Sequence, residues 1–276
     1  MKLHFLAATA LTVVATPALA QDADPEFFNG LYVSGAVSLD APTRGGDGLV
    51  FDTDLDGQFD NNVLTTTGND AFPGFCSGRA LGATIGEGCA SDDSDIGYAV
   101  RIGFDSRLNG GPIVGGLLVE ASKLDATEFT NGFSSTPASY TVARQVDYAI
   151  SGRGRLGFSP GEGRGLFYVT GGISYADLDR EFFTTNGANS FTLQGDNKVW
   201  GGQVGGGAEL MLTNNLSLGL EYLYSSYEDD DASVAVGPGT AGPTNPFLLV
   251  AGGTDLRSSS TDFDFHSFRA TVGFHF

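Results

Sequence analysis

The sequence predicts an all-β chain, an eight-stranded antiparallel up-and-down transmembrane β-barrel, and three observations carry that prediction. Apolar residues alternate with small or charged ones over long arms, the arms are tipped by Trp or Tyr, and the chain closes on a regular strand ending in Phe276. Period-two alternation is the strand signature. Arms of about 9–11 tilted residues with aromatics at the interface suit a bilayer, whereas soluble strands centre on about 5–6 residues. The clearest arms lie in residues 199–227. Trp200, Val204, Ala208, Leu210 and Leu212 share one parity against Gln203 and Glu209. Beyond Thr213-Asn214-Asn215, Leu216, Leu218, Leu220, Tyr222 and Tyr224 alternate with Ser217, Gly219, Glu221 and Ser225. A three-residue turn sets Leu212 opposite Leu216 and Glu209 opposite Gly219, so the apolar faces coincide.

Taken in order, the chain opens with a segment that is not part of the fold. Lys2, the apolar stretch 5–14 and Ala18-Leu19-Ala20 read as a signal peptide over residues 1–20, leaving a barrel domain over 21–276. No later stretch approaches the ~20 apolar residues a spanning helix needs. The formal charge is -19, and loss of Lys2 leaves 13 basic against 33 acidic residues, or -20. That balance excludes a general nucleic-acid binder, because little is available to neutralise phosphates.

The first strand spans about 29–39, with Leu31, Val33, Val37 and Leu39 outward and Tyr32, Ser34, Ala36 and Ser38 inward. The second, 96–105, turns Tyr98, Val100, Ile102 and Phe104 out and Arg101 in. The third, 113–122, sends Ile113, Leu117 and Val119 out and Glu120 in. The fourth, 145–158, faces lipid with Val146, Tyr148, Ile150, Leu156 and Phe158 and the lumen with Asp147, Arg153 and Arg155. The fifth, 166–176, has Phe167, Val169, Ile173 and Tyr175 outside. The hairpin already described supplies the sixth and seventh. The eighth, 264–276, places Phe268, Ala270, Val272, Phe274 and Phe276 on the outer wall and Arg269, Thr271 and His275 inside. Short turns alternate with long acidic loops, about 40–94, 123–144, 177–197 and 228–262, and the parity of strands puts those loops outside the cell.

The first loop holds ten acids, nine Asp plus Glu87, and both cysteines. Cys76 and Cys89 read as a disulfide in an exported chain; the alternatives are free thiols or a metal pair, with no histidine nearby. Asp52, Asp54, Asp56 and Asp60 around Gly57 match the first part of an oxygen-ligand Ca²⁺ loop, but position 12 is Val63 rather than glutamate. Weak Ca²⁺ binding and a solvated acidic run both fit this pattern. No other cofactor is implied.

Inward positions gather Arg101, Arg153, Arg155 and Arg269 against Glu120, Glu209 and Glu221. An eight-stranded barrel leaves room for little besides side chains, so these charges read as a packed network; a charge-lined pore is the alternative. Glu209 and Glu221, diagonal neighbours, are expected to share an arginine. Catalysis has little support. His266, beside Asp262, Asp264 and Ser267, is the one histidine placed for a hydrolytic base, and no nucleotide-binding or nucleophile motif occurs.

Ala208-Glu209 and Glu221-Tyr222-Leu223-Tyr224 around the Thr213-Asn214-Asn215 turn, the segment FYVTGGISYA at 167–176, and the terminal run from Arg269 to Phe276 resemble the small outer-membrane barrel proteins of Gram-negative bacteria. These are the porin-like or OmpA-like eight-stranded barrels. The resemblance covers most of the chain beyond residue 20 and is strongest from 166 onward. It implies an outer-membrane location, contact with lipid and lipopolysaccharide, and insertion by the barrel-assembly machinery, with Phe276 as part of the C-terminal signal. It also implies roles in envelope integrity, adhesion or minor solute passage. The long first loop departs from the usual pattern. The expected function is therefore a structural or surface-interaction barrel with a closed lumen and loops that meet a surface ligand, with no enzymatic activity. The alternative is a small-solute channel.

Overall fold

The computed structural model describes residues 26–43, 48–92 and 94–276. The signal peptide expected over 1–20 lies outside them, as does Arg44. The strands are β1 (Gly30–Pro42), β2 (Leu49–Asp52), β3 (Gly74–Ser77), β4 (Asp95–Arg107), β5 (Ile113–Lys123), β6 (Thr127–Ser134) and β7 (Ala138–Phe158). They continue as β8 (Gly165–Thr184), β9 (Ser190–Gln194), β10 (Lys198–Met211), β11 (Leu216–Glu228), β12 (Ser233–Gly237), β13 (Thr254–Ser258) and β14 (Asp262–His275).

Eight of them close a barrel. The antiparallel circuit runs β1, β4, β5, β7, β8, β10, β11, β14 and back to β1. Closure leaves no free edge, which is what allows a sheet to sit in hydrocarbon. Along each wall strand exposed apolar residues, Leu117 at 72% and Leu220 at 69% among the most so, alternate with residues that are mostly buried or half-buried. Trp200, Tyr222, Val272 and Phe274 lie on the outer wall as their parity predicts. The register of the sixth and seventh wall strands is also as expected, with Glu209 opposite Gly219.

One parity breaks. Val146 and Asp147 were placed outward and inward by simple alternation, but the β7–β8 register slips between Val146 and Tyr148. A bulge adds one unpaired residue and reverses the faces beyond it. Val146 therefore points inward and packs with Leu124, Leu178, Phe263 and Phe265. Asp147 points outward, where it receives a hydrogen bond from Lys123 Nζ at 2.8 Å.

The long connections are largely built from strands. β7 and β8 run on past the bulge as a two-stranded ribbon, with Tyr140 opposite Thr184, and β6 pairs along β7. A second, four-stranded sheet in the order β2, β13, β12, β9 joins segments of the first, third and fourth connections. Its apolar side meets the ribbon in a separate core of Phe51, Phe72, Tyr140, Val236, Phe247 and Leu256. The barrel thus carries a folded head. The Cys76–Cys89 disulfide lies at its flank, Cα atoms 6.3 Å apart, with β3 paired to β6 beside it.

At the opposite end Phe27 and Phe28 turn under the barrel and pack on Val114, Leu166, Tyr168 and Met211. Arg107 Nε fixes the turn by donating to the Phe27 carbonyl at 2.7 Å.

Candidate functional site

Inward side chains fill the lumen in two linked layers. In the central layer the β4–β5 register sets Arg101 opposite Glu120, and the β11–β14 register sets Glu221 opposite Arg269. Glu120 accepts from Arg153 Nη2 at 2.7 Å, from Arg269 Nη1 at 2.6 Å and from Arg101. Glu221 accepts from Arg101 Nη2 at 2.6 Å, Arg153 Nη1 at 3.2 Å and the Tyr168 hydroxyl at 3.0 Å. The five charged side chains are between 0% and 4% exposed.

The second layer lies toward the short turns. Arg155 Nε donates to Asp105 at 2.7 Å and Nη1 to Glu209 at 3.0 Å. Its guanidinium plane lies 4.6 Å from the centre of the Tyr32 ring and 5.2 Å from that of Tyr168. Glu209 also accepts from Ser217 Oγ at 2.7 Å and lies 3.0 Å from His275 Nε2. Glu209 and Glu221 therefore do not share an arginine. Arg155 enters the barrel two residues beyond Arg153 on β7, and each glutamate bonds within its own layer.

Alternation pointed to seven charged residues, and the structure brings all of them into the lumen. It placed Tyr32 inward without assigning it a partner, and it missed Asp105 and Tyr168, although both have inward parity. It also missed Asp40, fully buried and bonded to Ser38 Oγ at 2.8 Å and to Ser267. Inward glycines make room mostly for these partners rather than for the arginines. A Cβ at Gly103 would strike the Tyr32 ring, and one at Gly116 would strike the Asp105 carboxylate.

Two histidine settings bear on catalysis. Ser217, His275 and Glu209 cluster, but Ser217 Oγ and the Glu209 carboxylate both contact the same atom, His275 Nε2. A relay needs the base and its orienting carboxylate on different ring nitrogens. His266 lies on the outer wall among aromatics, its Nδ1 2.7 Å from the Tyr222 hydroxyl and its ring beside Tyr224.

In the head, carboxylate oxygens of Asp52, Asp54 and Asp56 lie within 4.8 Å of one another and can hold a metal ion. Asp60 is not in that group; it accepts from Asn61 Nδ2 at 3.0 Å. Asp52 already accepts from the amides of Asp56 at 3.2 Å and Gly57 at 2.8 Å, a turn that needs the positive φ of 90° at Gly57. Partial desolvation and then the neighbouring Asp56 push the Asp54 carboxyl above its ordinary range.

No protein-family model matches the chain. Two curated relatives do, each a "31 kDa outer-membrane immunogenic protein", from Brucella melitensis biotype 1 and Brucella suis biovar 1. Each is 26% identical over 144 residues, 52% of this chain and 54% of the relative. The chain thus matches about half the length of these relatives. Among solved structures, the outer membrane protein OprG from Pseudomonas aeruginosa superposes with a TM-score of 0.51 at 12% identity, covering 90% of this chain and 97% of that one. That likeness concerns the fold. Closed eight-stranded wall, lipid-facing surface and relatives together define a small outer-membrane β-barrel protein. The proteins it resembles are outer-membrane proteins, none of them named as an enzyme.

Proposed function

We propose that this protein is a closed barrel of the cell envelope whose head is its working surface, displayed outside the cell to a surface ligand. The carrying observation is the central layer, in which Arg101, Arg153 and Arg269 together clasp Glu120 and Glu221 with almost no exposure. Five bonded charged side chains span a bore that in eight-stranded barrels is only wide enough for side chains. Lipid and lipopolysaccharide would surround the wall, and Phe276, exposed at its rim, would serve the barrel-assembly machinery as the terminal signal. The name of the Brucella relatives, an immunogenic protein, fits a head exposed to the exterior.

Planar-bilayer recordings of the mature protein are expected to show no steady conductance. A large, steady wild-type current would replace this reading with a small-solute channel.

For the acidic turn we propose weak Ca²⁺ binding through Asp52, Asp54 and Asp56, in the 10⁻⁴–10⁻³ M range typical of extracellular modules, roughly. Terbium luminescence is expected to titrate in the wild type, to fall sharply in Asp54→Ala and to change little in Asp60→Ala. Because Asp54 must be ionised to bind, the signal is expected to fade as pH drops through its raised pKa. Equal signals from wild type and Asp54→Ala would leave a solvated acidic run.

A further inference from the structure

At the junction between barrel and head, three arginines outnumber the two carboxylates that bond two of them. Arg144 on β7, Arg180 on β8 and Arg257 on β13 line one narrow cleft together with Asp229 and the hydroxyls of Ser233 and Ser260. Arg144 donates to Glu128 at 2.7 Å and to Asp229 at 3.4 Å, and Arg180 donates to the same Asp229. Arg257 has no carboxylate partner among the described residues. Its Nη1 donates to the Asp230 carbonyl at 2.7 Å, and its guanidinium lies over Phe59 at 4.2 Å. Three guanidiniums thus meet two carboxylates. Burial alone would lower the Arg144 pKa, but Glu128 and Asp229 outweigh it and hold the guanidinium charged.

Two donors at the cleft are also unused. The Nε atoms of Arg180 and Arg257 are buried and have no hydrogen-bond partner among the described residues. Buried donors are rarely left so, and a half-buried guanidinium without a carboxylate partner favours a nearby anion. A water molecule would satisfy the donors but leave the charge.

We propose that this cleft binds one small monovalent anion of the chloride class. The space admits about 20 Å³, room for one small anion, and a single negative charge matches the charge balance better than a phosphate dianion. One negative charge balances the three cations and two anions. The bound ion would tie β7, β8 and β13 together, and with them the ribbon to the head sheet.

The test is chloride-35 NMR line broadening of the mature protein in zwitterionic detergent at constant ionic strength. Excess broadening is expected in the wild type, displaced by bromide and not by phosphate. Arg257→Gln is expected to weaken binding about tenfold, as loss of a charged hydrogen-bond donor does. Equal broadening in wild type and Arg257→Gln, or displacement by phosphate as readily as by bromide, would overturn the proposal. The wild type alone also decides it: bromide-soaked crystals are expected to show an anomalous peak in the cleft. A cleft with no such peak at saturating bromide holds water only, and the proposal fails.

Discussion

The substitution Glu120→Ala is expected to destabilise the barrel by about 3–5 kcal/mol, the usual cost of leaving buried charges without their partner. Arg101, Arg153 and Arg269 all donate to this carboxylate, and removing it leaves three guanidiniums around Glu221 alone. Water and counter-ions are then drawn into the lumen. The same variant is expected to show conductance that the wild type lacks. Urea titration followed by gel mobility measures the first effect, and planar-bilayer recording measures the second. Glu120→Gln, which keeps the shape and loses the charge, is expected to fall between. Replacing Glu120 and Arg101 together by apolar residues of similar volume is expected to recover part of the stability, because the uncompensated charge is reduced. Wild-type stability in Glu120→Ala would mean that the central layer contributes nothing to holding the barrel closed.

Phe72→Ala should separate the head from the barrel. Phe72 is 3% exposed and touches Phe51, Tyr140 and Phe247 with ring centres 4.5, 5.1 and 5.6 Å apart. Truncating a core phenylalanine costs about 3–5 kcal/mol, and the head core is too small to absorb that loss. Limited proteolysis is expected to cut the variant within residues 48–92 while the barrel keeps its folded gel mobility. The wild-type head is expected to resist the same protease. Simultaneous loss of both would show that head and barrel unfold as one unit.

The wall of the barrel was readable in the sequence because lipid imposes a strict rule. One face of each strand has to be apolar, so Leu31 to Leu39 or Leu216 to Tyr224 announce both strand and orientation. The same parity singles out seven inward charges, since a long charged residue between two outward apolar ones has only one place to go. It could not say which charges bond. Whether Glu221 meets Arg153 or Arg155 depends on strand stagger and on how side chains lean along the axis, neither of which alternation encodes. The bulge at Asp147 was hidden for a related reason. Val146 and Tyr148 are both apolar, so the segment alternates as well with the bulge as without it. The head was the largest omission. Its strands β2, β9, β12 and β13 are only four or five residues long, and they lie in Gly- and Asp-rich surroundings that read as loop. Their pairing is set by distant segments rather than by local pattern.

That distance also decides when the head can exist. Phe51 of β2 pairs with Leu256 of β13, and Val236 of β12 with Phe191 of β9. The first of these contacts spans 205 residues, from 51 to 256. Contacts of such long separation form late, because the intervening chain has to be ordered first. Here the intervening chain is most of the barrel, and apart from a local bridge between Phe51 and Asn61, β2 has no strand partner until β13 is in place. A chain stalled before β13 pairs is therefore expected to leave Leu49, Phe51 and Phe72 uncovered and open to proteases. Head formation is therefore expected to come late in folding, so that protease resistance of the head marks fully folded chains.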